Sequence, residues 1–199
     1  MQMYIRKFLV ILLSIFFCAM PAMADEVLDS LKEAQEAYNE KAYSEAIEAL
    51  DYTKQLILQM SSEGMIKFLP APPDGWQGEE AVSQNLGMLG GATSIEKVYT
   101  RIDQSNGGRV TMSIMGDSPM FMGLLNMFNP AIAAADGGTL MKIKRNKSIV
   151  KYNAQNRSGE ILVNVTKKYI VTIKGNGVDE QELMSFAESI DYSGLNSLQ

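Results

Sequence analysis

Carboxylates are the side chains in this sequence that are best suited to acid–base chemistry. The chain contains no histidine and one cysteine, Cys18, so the commonest general base and the usual thiolate and zinc-binding arrangements are missing. Neither a glycine-rich phosphate loop nor a serine nucleophile elbow is present. The candidate acids fall into three groups: Glu79–Glu80, Asp117 and Asp179–Glu180–Glu182.

Each acidic group also has a structural interpretation. Asp117 and Ser118 directly precede Pro119, which is typical of the N-cap region of a helix with proline at its first position. Asp179 and Glu182 have the spacing of a capping box. Glu79–Glu80 is expected to begin a short helix. A catalytic site needs a constellation of groups, so we expect a protein that is not an enzyme, with no catalytic residue, metal site or cofactor.

Methionine offers a second chemistry, because thioether sulfurs are soft ligands for Cu(I). The alternative is core filling, for which the flexible methionine side chain is well suited. Core filling is favoured, and a carrier of Cu(I) or of a small apolar ligand remains the alternative function for segment 112–141. Six methionines fall within these thirty residues: Met112, Met115, Met120, Met122, Met127 and Met141.

The apolar connection 119–135 is a third candidate. Its composition predicts a short helix, Pro119–Phe128, ended by Asn129-Pro130. Apolar residues occur on nearly all sides of this helix, as in a buried helix, so burial is favoured. If the helix lies at the rim instead, it offers a patch for a lipid, a ligand or a partner. The residues of this possible apolar contact are Met120, Phe121, Met122, Leu124, Leu125, Met127 and Phe128.

Charge is distributed very unevenly. Residues 25–66 contain ten acids and three bases, whereas 139–174 contain nine bases and one acid. In the basic segment, lysines alternate with apolar residues, so they are expected to share the solvent face of a sheet. One interpretation is an ordinary solvent-exposed sheet face, on which lysines prevent the edge strands from pairing with other chains. The other is an anion-binding surface for a membrane headgroup, an acidic partner or the chain's own acidic segment. Its residues are Lys142, Lys144, Lys151 and Lys174.

The first 24 residues are expected to be a cleavable export signal. Arg6 and Lys7 precede the apolar run Phe8–Phe17, and small residues end the segment at Ala24, which is the order of a secretory signal peptide. The run is shorter than the roughly 18 residues that span a bilayer. We expect cleavage after Ala24 and export to the bacterial periplasm. The remaining chain would have no cysteine and a net charge of −7.

The elements that position these residues divide the mature chain into a helical part and a sheet. Residues 25–66 show helical periodicity with a break near 39–42, which predicts an acidic αα-hairpin. This hairpin resembles a single tetratricopeptide unit, with small Ala34 and Ala46 where two helices would cross. Residues 67–78 are proline-rich and are expected to be a linker.

Residues 79–192 are expected to be an α+β domain, followed by a tail at 193–199. A capped helix from Asp179 is expected to lie on one face of the sheet. Alternating hydrophobicity predicts about six antiparallel strands. They are Ser94–Ile102, Arg109–Met115, Thr139–Arg145, Ser148–Asn153, Glu160–Thr166 and Tyr169–Lys174.

The second part resembles small secreted α+β domains, namely the Mog1/PsbP-like group and the extracellular sensor halves of some anti-sigma factors. The resemblance rests on Pro73, Gly75 and Trp76 and on the strand–glycine–helix ending from Lys174 to Ile190. It implies a fold and an accessory or binding role without shared chemistry.

The leading hypothesis is therefore an exported binding or accessory protein that is not an enzyme. It would contact a protein or envelope partner through the basic sheet face, the acidic hairpin or both. Peripheral contact with anionic lipid is included in this hypothesis, and nucleic acid is excluded on location. The sequence leaves the oligomeric state open.

Overall fold

The computed structural model describes residues 22–86, 92–102, 107–116, 121–166 and 168–198. The chain divides into two compact units, residues 1–57 and 58–199. The first unit therefore ends within the second helix, and the hairpin boundary expected at Ile66 coincides with the end of that helix. Among the described residues, no helix has the length and apolar character needed to cross a membrane.

The first unit contains helix α1 (Ala22–Asn39) and most of helix α2 (Tyr43–Ile66). The break between them contains Lys41 in the left-handed region, at φ 62°. Small buried residues lie between the helices, and three of them are linked by hydrogen bonds. The Ser30 hydroxyl donates to the Ala49 carbonyl at 2.9 Å, and the Thr53 hydroxyl donates to Ser30 Oγ at 2.9 Å. These contacts hold the two helices antiparallel, as the periodicity predicted.

The second unit is built on an antiparallel sheet of eight strands in the order β1-β3-β4-β8-β7-β6-β5, with β2 paired to β3. The six predicted strands are all present, and the α+β class is confirmed. The strands are β1 (Trp76–Gly78), β2 (Val82–Leu86), β3 (Ala92–Arg101), β4 (Arg109–Gly116), β5 (Thr139–Ile143), β6 (Asn146–Asn153), β7 (Ser158–Val165) and β8 (Tyr169–Asn176).

The two additional strands, β1 and β2, are short and pair with opposite halves of β3. Trp76 pairs with Arg101, and Val82 pairs with Glu96. The expectation of a short helix at Glu79–Glu80 was wrong, because these residues connect the two strands and are not helical. Strands this short, with polar residues, lack the alternating pattern by which strands are recognised.

One face of the sheet, here the inner face, bears the main core. Alternate residues of the central strands, such as Ile114, Ile161 and Val171, are fully buried there. Helix α5 (Glu180–Ser189) packs on this face through Leu183 and Phe186 and begins with the predicted Asp179–Glu182 capping box. Residues expected to be a tail instead form helix α6 (Tyr192–Ser197), and its Leu195 is fully buried.

The opposite face, here the outer face, is half covered. Helices α3 (Phe121–Met127) and α4 (Pro130–Ala135) lie over a small second core. The sequence predicted one helix in this connection. Asn129 does end the first helix, but it also caps a second one by accepting from the Ala131 amide at 3.0 Å. The residues of the second core are Phe128, Ala133, Ile149, Leu162 and Ile170.

Candidate functional site

A groove of about 350 Å³ runs along the outer face where helix α3 stops covering the sheet. Strand pairing explains its floor. Ser113 pairs with Thr172, which pairs with Leu162, so these three residues project from neighbouring strands to the same face. The next pair along, Met115 and Ile170, continues the floor toward the apolar side. Side chains that alternate across a pleated strand therefore create the groove.

The walls of the groove differ in polarity. Leu124 and Met127 of helix α3 form the apolar wall, and both also pack against the second core. On the other side of the floor, Thr111 and Thr172 present half-buried hydroxyls. Apolar contact with a few convergent hydroxyl groups is the usual composition of a small-molecule site.

Three charged side chains also line the groove: Glu96, Glu160 and Lys174. Lys174 Nζ lies 3.3 Å from Glu160 Oε1, and the lysine side chain is 61% exposed. An exposed ion pair of this length contributes little to stability. The Lys174 ammonium is therefore accessible to an anionic group at the mouth of the groove.

The structure separates the four predicted lysines. Strand register places Lys142, Lys151 and Lys174 on the outer face, as predicted. Lys144 does not share this face, because it lies in the two-residue turn between β5 and β6. Its ammonium approaches the Ile190 carbonyl at 3.5 Å, at the C-terminal end of helix α5 on the inner side. A cation is favourable there because the helix dipole is negative at that end.

The outer-face lysines also differ in their partners. Lys151 pairs with Asp136, the residue after helix α4. Lys142 stands directly opposite Lys147 on the neighbouring strand, and neither ammonium has a carboxylate within ion-pair distance among the described residues. Lys147 was missed by the sequence analysis. It could have been identified, because residues 147 and 151 are four apart on one strand and therefore project to the same face of the sheet.

The structure does not gather the methionine cluster into one site. Met115 and Met127 line the groove. Met112 is fully buried on the inner face, and Met141 is 40% exposed at the sheet edge. Met120 lies outside the described residues, and so does the side chain of Met122. Within the described part of the chain, no cluster of three His, Cys, Asp or Glu residues has metal-binding geometry either.

The predicted apolar contact residues are partly buried rather than forming one free patch. Phe128 belongs to the second core, and Leu124, Leu125 and Met127 pack against it. The side chain of Phe121 lies outside the described residues, as do Met120 and the Met122 side chain. Leu124 and Met127 are the residues of this group that reach the groove.

The candidate carboxylates are not assembled into a catalytic site in the described part of the chain. Glu182 Oε2 accepts from the Asp179 amide, and Glu182 also forms an ion pair with Arg101. The Arg101 guanidinium lies over the Trp76 ring, 4.9 Å from its centroid. This cluster fixes helix α5 against the start of the sheet, so the role of Glu182 is structural. Asp117 lies outside the described residues.

Comparison of the chain with protein-family models, with curated protein sequences and with solved structures gives no match. The fold defines the class of protein: an α+β domain with an eight-stranded antiparallel sheet, preceded by a helical hairpin. The resemblance to Mog1/PsbP-like domains stays a prediction, so a functional conclusion has to rest on the geometry of the outer face.

Proposed function

We propose that this chain is an exported binding protein without enzymatic activity, and that its outer-face groove holds a small amphipathic molecule with an anionic group. The groove itself is the observation that supports this proposal. It joins the two sequence-based hypotheses, because the basic face and the apolar segment meet there. Its volume of about 350 Å³ is at the small end of the range for ligand sites.

The apolar side chains, the hydroxyl groups and Lys174 have separate roles in this proposal. Met115, Leu124 and Met127 contact the apolar part of the ligand, which favours binding by removing apolar surface from water. The hydroxyl groups of Ser113 and Thr172 donate to or accept from its polar part. Lys174 lies beside the anionic group and exchanges its ion pair with Glu160 for one with the ligand.

The test measures binding of decanoate, a ten-carbon fatty acid, and of the neutral alcohol decanol by calorimetry. Lys174→Met keeps the length of the side chain but removes its charge. We expect the affinity for decanoate to fall about fivefold, since an exposed ion pair contributes about 1 kcal/mol. The affinity for decanol should stay within twofold.

The matched control is Lys142→Met, which removes the same charge from the same face outside the groove. It should leave decanoate binding unchanged. A second variant, Ser113→Trp, fills the groove and should abolish binding of both probes, whereas Thr100→Trp on the exposed part of the same face should not. Equal losses for Lys174→Met and Lys142→Met, or full binding by Ser113→Trp, would contradict the proposal.

A second candidate function follows from Lys142 and Lys147. Two ammonium groups directly opposite each other repel, and an anionic surface such as a lipid headgroup layer would relieve this repulsion. In this candidate the outer edge of the sheet docks peripherally on an envelope partner. Binding to anionic vesicles that falls with rising salt and is lost in Lys142→Met/Lys147→Met would support it, and binding independent of salt would contradict it.

A further inference from the structure

The helical hairpin exposes large apolar side chains while it buries small ones. On helix α1, Leu28, Leu31 and Tyr38 are 55%, 41% and 64% exposed. On helix α2, Tyr43, Ile47, Leu50 and Ile57 are 50% to 60% exposed. The helix–helix interface is instead made by alanines such as Ala34 and Ala49, which are nearly fully buried. The sequence predicted Ala34 and Ala46 at the crossing of the two helices, and both are buried.

These seven exposed side chains lie on one side of the hairpin, whereas Tyr52, which is 45% exposed, lies among the acidic residues on another side. Leu31 directly follows buried Ser30 on helix α1, and Leu50 directly follows buried Ala49 on helix α2. Each step turns the side chain by about 100° in the same sense. Because the two helices run antiparallel with Ser30 and Ala49 facing each other, the residues that follow these two project to the same side of the hairpin. The rings of Tyr38 and Tyr43 meet across the helix connection with centroids 6.0 Å apart, which joins the two stripes.

The acidic residues of the hairpin lie away from this apolar side. The positions that follow buried Ala34 and Thr53 are Gln35 and Lys54, so no carboxylate interrupts the two stripes. The acids lie elsewhere on the hairpin, for example around the groove lined by Glu33, Glu45 and Glu48. The hairpin therefore has one apolar side within a strongly acidic surface.

The area of this side is that of a protein–protein interface. With about 200 Å² for a fully exposed large side chain, the exposed fractions of the seven residues amount to roughly 750 Å². Each partner in a standard complex buries about 800 Å², and monomers seldom expose a contiguous apolar patch beyond a few hundred Å². A single helical-repeat hairpin cannot bury its own apolar face and is stable only when it stacks on a similar hairpin.

We propose that the apolar side of the hairpin binds the same side of a second copy, so that two hairpins form a four-helix interface. A two-fold arrangement brings identical patches together, which is the commonest form of homodimer. Leu31, Ile47 and Leu50 lie at its centre, and Tyr38 and Tyr43 lie toward its end. This inference goes beyond the proposed function, since the groove of each copy is formed within the second unit.

The net charge of the hairpin gives the dimer a distinctive dependence on salt. Residues 25–57 contain nine acids and three bases, a net charge of −6. Two such hairpins repel, and added salt screens this repulsion. Self-association should therefore strengthen as salt rises. Docking of a basic partner segment on the same surface would show the opposite dependence.

The experiment is sedimentation velocity of the mature chain over a range of concentrations at about 0.05 M and about 0.5 M salt. Leu50→Glu places a carboxylate in the centre of the apolar side, and Ile47→Ser provides a milder change there. The matched control is Gln55→Glu, which adds the same charge to the same helix beside Glu48 and Tyr52, away from the stripe. Far-ultraviolet circular dichroism verifies that each variant keeps its helices.

We expect dimers of the natural chain and of Gln55→Glu, with a dissociation constant at least threefold lower at the higher salt. Leu50→Glu should be monomeric, and Ile47→Ser should dissociate more readily. A natural chain that stays monomeric at both salts, dimers of folded Leu50→Glu, or association only at low salt would each overturn the inference. Monomeric Leu50→Glu should still bind decanoate, so a loss of dimerisation can be distinguished from a failure of the proposed ligand site.

Discussion

Burial changes the chemistry of two tyrosines that support the inner face of the sheet. Burial raises the pKa of Tyr99, whose hydroxyl donates to the Pro70 carbonyl. Burial, and then the negative charge of Glu188, raises the pKa of Tyr192. On the hairpin, the hydrogen bond to Glu26 and then its charge raise the pKa of Tyr52. The folded chain thus stabilises the neutral, protonated form of these tyrosine side chains.

These tyrosines predict a loss of stability at alkaline pH. The unfolded chain ionises its tyrosines near pH 10, while Tyr99 and Tyr192 stay protonated in the folded chain. The unfolded state then binds fewer protons, so the contribution of these two tyrosines to the free energy of unfolding is constant below about pH 10 and decreases above it. Urea titrations at a series of pH values measure this. The double variant Tyr99→Phe/Tyr192→Phe should show a smaller decrease, and an equal decrease would contradict the assignment.

At the scale of elements, the β5–β6 turn has two consecutive residues in the left-handed backbone region. Lys144 and Arg145 have φ values of 44° and 72°, as in a type I′ turn, which favours Asn and Gly. Left-handed backbone costs about 1–2 kcal/mol per residue with a side chain. The sequence predicted strand through Arg145, because lysine and arginine give no turn signal. In this backbone conformation, Lys144 reaches the Ile190 carbonyl at the end of helix α5.

Replacing Arg145 with glycine should therefore stabilise the chain. We expect the free energy of unfolding to rise by about 1 kcal/mol, because glycine adopts positive φ without steric cost. Chemical denaturation provides the measurement. Thr100→Gly, at an exposed position of strand β3, serves as the comparison and should lower the free energy by about 0.5–1 kcal/mol. A decrease for both variants would contradict the strain argument.

Helix α5 approaches the sheet over two glycines that stand opposite each other, Gly159 and Gly175. A Cβ atom on Gly175 would lie 2.5 Å from Val178 Cγ2 and 2.8 Å from Leu183 Cδ1. Gly175→Ala should therefore destabilise the chain by about 1–3 kcal/mol through overpacking. Thermal unfolding measures the change. Gly123→Ala, where nothing lies within 4 Å of the added atom, is the control, and equal effects would contradict this account.

At the scale of the whole molecule, the order of elements was predictable because most of them have a strong local signal. The Asp179–Glu182 capping box and the alternating residues of β4, β7 and β8 determine their own secondary structure. Their pairing follows from burying one face. The strands β1 and β2 and helix α6 were missed because they are short and depend on their neighbours for burial.

The candidate site was predictable only in part. The lysines and the apolar segment were identified by type, but the groove depends on strand register, which brings Met115, Ser113 and Lys174 from two strands to one face. The hairpin shows the limit of periodicity. Its stripes of large residues are exposed, because alanines allow the helices to approach closely and form the interface instead. Periodicity identifies an apolar side, but it does not say which partner covers it.

The most direct test of the central claim is native mass spectrometry of the chain recovered from the cells that naturally produce it. We expect the natural chain to carry an additional small mass that dissociates on denaturation, and we expect the Ser113→Trp variant, whose groove is filled, to lack it. The Thr100→Trp variant should retain the mass. A bare mass for the natural chain, or the same additional mass on Ser113→Trp, would contradict the assignment of the outer-face groove as a ligand site.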